Sequence, residues 1–165
     1  GAGVVTKGRG WLFTGPSEAG KSTLADFYRD RGETVLSDER IIIRKVGDRV
    51  LLCGTPWHGT SHAVSGQVAP LAGIYFIRHG SGTHRLRRLS PLESCRLALQ
   101  QSFLPHWGRS LMAAAVDFFA ELAQRIECYE LAFLKDPDII DFLEAQPERA
   151  PKLALDSRLV GCSED

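Results

Sequence analysis

Apolar residues along this chain change period repeatedly, from short continuous runs to positions three and four apart. Val4-Val5-Thr6 and Trp11-Leu12-Phe13-Thr14 are strand-like runs on either side of Lys7-Gly8-Arg9-Gly10, a turn-like segment, so the chain should open as a hairpin. Leu24, Phe27 and Tyr28 then share one face of a helix that starts near Lys21 and stops near Gly32, after the basic Arg29 and Arg31. Thr34-Val35-Leu36 reads as a strand ending at Ser37-Asp38-Glu39. Ile41-Ile42-Ile43 and Val50-Leu51-Leu52 flank Gly47-Asp48 as a second hairpin. A tight turn joins antiparallel strands, which argues against a uniformly parallel sheet.

The second half repeats the alternation. Residues 73–78 and 84–89 read as strands. Ser90-Pro91-Leu92-Glu93 combines an N-cap, a proline at the first helical position and an acid placed for a capping box. Leu92, Cys95, Leu99 and Phe103 follow on one predicted face, Pro105 interrupts, and a longer helix carries Leu111, Met112, Ala115, Val116, Phe119, Leu122 and Ile126 as a core stripe. Tyr129-Glu130-Leu131-Ala132-Phe133-Leu134 is a late strand, and Asp136-Pro137 opens a short helix through Leu143. The predicted fold is α/β, a single domain over residues 1–144 with a mixed β-sheet flanked by helices. Residues 145–165, poorer in apolar positions, read as a flexible tail.

Between the first hairpin and the first helix lies Gly15-Pro16-Ser17-Glu18-Ala19-Gly20-Lys21-Ser22-Thr23, a full G-x-x-x-x-G-K-[ST] match in strand–loop–helix context. Such a loop can bend successive backbone N–H groups around a phosphate, and the helix N-terminus adds donors and partial positive charge. Lys21 would reach the outer phosphates and the hydroxyl of Ser22 would hold Mg²⁺. A nucleoside triphosphate, ATP with Mg²⁺, is the expected ligand. The alternative is a chance Gly/Ser turn opening a helix.

Composition narrows the setting. The 165 residues are 44% apolar, enough to bury a core, and twenty basic residues balance twenty acidic ones, so no net field draws the chain to nucleic acid or to an anionic membrane. No apolar run approaches the ~20 residues that span a bilayer, and the first residues lack a signal-peptide layout. Cys53, Cys95, Cys128 and Cys162 are far apart with no C-x-x-C pair, which suits reduced thiols in a cytoplasmic protein.

The phosphate-loop match followed by Thr34-Val35-Leu36-Ser37-Asp38-Glu39-Arg40 resembles the HPr kinase-like branch of the phosphoenolpyruvate carboxykinase superfamily, in which a strand ends in two adjacent acids and an arginine. Glu39 stands where that pattern has a second aspartate. Gly54-Thr55-Pro56-Trp57-His58-Gly59 is similar to the glycine/proline loop of HPr kinase-related proteins found beside bacterial peptide-modification genes. The resemblance covers about residues 3 to 144. It implies a kinase-like fold and transfer of the γ-phosphate of ATP to a hydroxyl, a serine of a peptide or small protein. Asp38 would be a metal ligand and proton acceptor, with Glu39 as a second metal-binding acid. The family's kinases carry a histidine just upstream of the hairpin before the phosphate loop, and here no histidine precedes His58. A nucleotide-binding regulatory module, or an NTPase without kinase activity, is the competing expectation.

The remaining candidates are weaker. Residues 54–70 are too long and too rich in Gly, Pro, Ser, Thr and His for an idle connection. They read as a functional loop that closes over substrate, with His58 a candidate catalytic residue. His58 and His62 are four apart, but Pro56 and the glycines argue against a metal-binding helix. His62 reads as structural or solvated, and Trp57 as a core anchor or a stacking surface for a base. Arg78, His79, His84, Arg85, Arg87 and Arg88 form the only dense positive cluster. Arg85 and Arg87 share a strand face and either grip anionic ligand or line a solvated edge strand.

Overall fold

The computed structural model describes residues 1–80, 82–104 and 107–146. The chain opens with β1 (Ala2–Thr6) and β2 (Arg9–Thr14), joined through Lys7 and Gly8 alone, at φ 51° and 72°. Two consecutive left-handed residues reverse a chain with the twist the strands require, so Arg9 and Gly10 are strand rather than turn. Helix α1 (Lys21–Asp30) leads to β3 (Thr34–Ser37) through Gly32 at φ 81°. There the N–H of Gly32 reaches Arg29 O and that of Glu33 reaches Tyr28 O, closing the helix with two bonds that only a left-handed residue permits.

The hairpin of β4 (Ile42–Val46) and β5 (Arg49–Cys53) forms as expected around Gly47-Asp48. Next comes β6 (Val68–His79), five residues longer at its start than the apolar run at 73–78 suggests. Its first residues pair antiparallel with β5, Cys53 to Val68 and Leu51 to Pro70, before the parallel ladder begins. Pro70 hid this extension, because proline is read as a strand breaker. Beyond it lie β7 (Arg85–Arg88), α2 (Pro91–Gln100), α3 (Arg109–Arg125), β8 (Glu127–Phe133) and α4 (Ile139–Glu144).

The sheet is mixed. Its order is β3-β1-β2-β6-β5-β4, with β8 also paired to β6 and β7 paired to β8. β2, β6 and β8 run parallel, while β1 is antiparallel to both β2 and β3. Strand alternation splits the core in two. Trp11, Phe13, Tyr75, Ile77, Tyr129 and Leu131 face α1 and α4; Leu12, Ile74, Phe76 and Cys128 face the side of α2 and α3. Phe13, Tyr75 and Tyr129 are in register on three parallel strands and stack at centroid distances of 5.0 and 5.4 Å, a column across the middle of the sheet. Leu24 and Tyr28 are fully buried beneath α1, and truncating Leu24 to alanine would cost about 2–5 kcal/mol.

Two predicted faces are only partly right. On α2 the capping box is complete, with Ser90 and Glu93 bonding reciprocally, but Leu92 is exposed and Ser94, Leu97 and Ala98 turn inward. Phe103 is likewise exposed. On α3 only the C-terminal part of the stripe packs: Leu122 is buried with Phe119 and Ile126 against it, whereas Leu111 and Val116 are exposed. Met112 and Ala115 are half-buried, α2 and α3 pack on each other, and the side chains of α3 in the core come from Phe118 onward. The interruption at Pro105 and nearly all of the expected tail, residues 147–165, lie outside the described residues. Among the described residues, no helix is long and apolar enough to cross a membrane, and Cys53, Cys95 and Cys128 are free thiols.

Candidate functional site

Because β1 runs antiparallel to both of its neighbours, β2 and β3 point the same way, and their C-terminal ends share one edge of the sheet. That topology carries Gly15–Thr23, which follows β2, to the same edge as Asp38, which follows β3. The two most specific sequence candidates therefore converge although α1 lies between them.

The candidate phosphate loop is shaped by close approach. Gly20 sits at φ 101°, and a Cβ there would stand 2.8 Å from the ring of Phe133, so glycine alone fits. Pro16, Ser17 and Glu18 are exposed, Ala19 and Gly20 are buried, and Glu18 is left-handed at φ 63°. Lys21 curls back over the loop, its Nζ donating to Gly15 O at 3.0 Å and Pro16 O at 2.6 Å. Burial holds its pKa below the usual lysine value. No side chain caps α1 and its first turn holds no acid, in contrast to the capping box of α2. The first N–H groups of α1 thus remain available to an anion.

Asp38 is the most constrained charged residue of the site. It is only 3% exposed. Its Oδ1 accepts the N–H of Gly59 at 2.5 Å and its Oδ2 that of Ser61 at 3.0 Å. Burial pushes the carboxyl upward, but the backbone N–H groups of Ser61 and Gly59 and the hydroxyls of Ser22 and Ser61 outweigh it. The carboxyl therefore stays below the usual aspartate value. The Ser22 hydroxyl is among the groups that favour the Asp38 anion, so the two side chains are neighbours at this edge. A hydroxyl and a carboxylate are oxygen donors of the kind a hard cation takes. Glu39 does not join them. It is exposed, and its carboxylate lies 3.8 Å from Arg40 Nε. Among the described residues no cluster of three or more His, Cys, Asp and Glu could hold a metal.

The segment 54–67 is tied down rather than loose. Besides the two bonds to Asp38, Ser37 Oγ donates to Trp57 O at 2.6 Å, Ser65 N–H to Leu36 O at 2.9 Å and Arg29 to Ser61 O at 3.0 Å. A lone bridge pairs Ser37 with Val64. Gly59 is required at the contact, because a Cβ there would fall 2.7 Å from Asp38 Oδ2. His58 is exposed, with Nδ1 3.2 Å from Gly59 O and its ring 4.6 Å from that of His62. It stands next to Gly59, which anchors Asp38. Trp57 is not a core anchor: it is 52% exposed and lies against the guanidinium of Arg40.

The basic cluster is largely neutralised. Arg78, on β6, pairs with Glu130 at 2.7 Å; on the edge strand β7, Arg87 pairs with Glu93 at 3.0 Å and Arg88 with Glu127 at 2.6 Å. Arg85 stays exposed, and His84 Nδ1 accepts the N–H of Leu134. Ser37, Gly59 and Ser61, to which the sequence assigned no role at Asp38, hold that residue and its loop. Ser37 carried a local signal: its Oγ accepts the N–H groups of Glu39 and Arg40, a turn that serine often makes. Gly59 and Ser61 reach Asp38 across more than twenty residues, a contact that no local pattern specifies even though Gly59 lies in the Gly/Pro motif.

No protein-family model matches the chain, and no curated protein matches it. Among solved structures, the chain is similar to the Hpr(Ser) kinase/phosphatase from Coxiella burnetii, with a TM-score of 0.41 and 14% identity over 75% of this chain and 88% of that one. This is a weak similarity, at the level of the fold.

Proposed function

We propose that the chain binds ATP with Mg²⁺ over residues 15–23 and transfers the γ-phosphoryl group to a hydroxyl, a serine of a peptide or small protein. The observation that supports this best is that Asp38 stands on the same sheet edge as residues 15–23, where Lys21 lies over the loop and the start of α1 is uncapped. Phosphoryl transfer needs mainly positioning and charge neutralisation. Lys21 leaves the carbonyls of Gly15 and Pro16 for the outer phosphates, and the backbone of residues 15–20 cradles them. Mg²⁺ supplies further neutralisation when held by Ser22 and Asp38. The acceptor oxygen bonds to the γ-phosphorus as the bond to the ADP oxygen breaks, and the hydroxyl proton passes to Asp38.

A second reading, a nucleotide-responsive module without transfer, draws on one observation. Asp38 already accepts several donors and its pKa is lowered, so it is a weak proton acceptor. In that reading nucleotide acts through the Asp38 clamp on residues 54–67.

Transfer of γ-labelled phosphate to serine peptides, measured beside ATP affinity, separates the two. Asp38→Asn should cut transfer by about 10²- to 10⁴-fold with a far smaller change in affinity. Unchanged transfer would remove Asp38 from the chemistry. Wild-type protein that binds ATP and transfers to no hydroxyl would support the module.

A further inference from the structure

A pocket of about 340 Å³ lies on the α2/α3 side of the sheet. Its floor is Leu12, Ile74 and Phe76, and its walls include Ile43, Phe118 and Phe119. That volume and apolar lining are those of a site for a compact apolar group. Its placement ties it to the candidate centre. Thr14, the residue before the phosphate loop, and Glu39, the residue after Asp38, both line it. The pocket therefore adjoins the edge where Lys21, Ser22 and Asp38 meet.

Two features describe what enters. Ile41, Ile42 and Ile43 line the pocket, so it reaches the start of β4. β4 ends the strand order, and among the described residues no strand pairs with its outer edge, the place where an extended peptide can add its own backbone. At the rim, the guanidinium of Arg40 lies 5.4 Å from the ring of Trp57 and 5.2 Å from that of Phe103, with Glu39 no nearer than 3.8 Å. Both rings are exposed. The stack holds cationic donors ready for peptide carbonyl oxygens.

We propose that the pocket takes a bulky apolar side chain of an extended peptide acceptor, and thereby places the hydroxyl of the neighbouring serine at the transfer centre. This rests on the kinase reading above. Leucine, methionine or phenylalanine next to the serine suits it; a charged neighbour does not, since nothing polar lies at the floor.

The test uses the 165-residue chain with Mg²⁺ and a non-hydrolysable ATP analogue. The probes are N-acetyl-Gly-Leu-Ser-Gly-amide, N-acetyl-Gly-Ser-Leu-Gly-amide and the same peptides with alanine for leucine. At least one leucine peptide should bind about 10- to 100-fold more tightly than its alanine counterpart and shift the backbone NMR signals of Ile42, Ile43 and Phe103. Gln101→Trp, at an exposed position on the pocket lining, and Ala98→Phe, on its helical wall, should abolish that preference with ATP affinity unchanged. Equal binding of leucine and alanine peptides in both orders, or a preference that survives in both folded variants, would overturn the assignment. So would concentration-dependent shifts of the same residues without peptide, which mark a second copy of the chain as the occupant. If leucine discrimination holds but ATP gives no phosphopeptide, the kinase reading fails and the pocket assignment stands. If phosphate is transferred regardless of the neighbour, the reverse is true.

Discussion

At the scale of single residues, Asp38 links the candidate chemistry to the fold. Its carboxyl is raised by burial and lowered further by the donors of Ser61, Gly59 and Ser22, so it lies below its ordinary value of 3.8. A group depressed on folding contributes stability above its unfolded pKa and loses it as pH falls through the folded one. The stability advantage of wild type over Asp38→Asn should therefore be full at neutral pH and shrink on acidification below about pH 4. Urea melts across that range measure it, and a difference independent of pH would mean that the N–H clamp does not favour the anion. Gly59→Ala should cost about 1–3 kcal/mol by forcing a methyl group against Asp38 Oδ2. Gly66→Ala, with open space around it, should stay within about 0.5 kcal/mol. Equal effects would show that close approach at Gly59 is not what selects glycine. Lys21, Ser22 and Asp38 were readable from sequence because a loop motif and a strand end mark them locally. Their partners were not, because Gly59 and Ser61 meet Asp38 only through tertiary contact.

At the scale of elements, the segment 54–67 departs most from expectation. Its composition suggested a loop that orders over substrate, yet its backbone is bonded at Gly59, Ser61 and Ser65. Hydrogen exchange on the protein without nucleotide should find these three amides protected, and Asp38→Ala should release Gly59 and Ser61 while leaving Ser65 slow. Fast exchange at all three in wild type would restore the mobile lid. Capping was read correctly because it is local: Ser90→Ala should cost about 1 kcal/mol, seen as a lowered urea midpoint. An unchanged midpoint would mean that the reciprocal Ser90–Glu93 bonds do not support α2. Helix α3 shows the opposite limit. Its apolar period was plain, but how much of the stripe meets the sheet depends on where the helix crosses it, which no periodicity records.

At the scale of the whole molecule, the sequence carried the mixed α/β architecture because each hairpin announced itself through its turn residues. It could not say that β6 pairs antiparallel with β5 at one end and parallel with β2 and β8 beyond. Nor could it show the pocket between the sheet and α2/α3, whose lining comes from residues spread from Gly1 to Phe119. The common edge of β2 and β3 brings two distant segments together, and nucleotide binding there is the central claim. Calorimetric titration of wild type and Lys21→Ala with ATP and Mg²⁺ tests it most directly. A hydrogen bond to a charged group contributes about 1.5–3 kcal/mol, so the variant should bind about 10- to 100-fold more weakly with an unchanged circular dichroism spectrum. Equal affinity of the two folded proteins, or no binding by wild type at millimolar ATP, would contradict the assignment of residues 15–23 as the phosphate site.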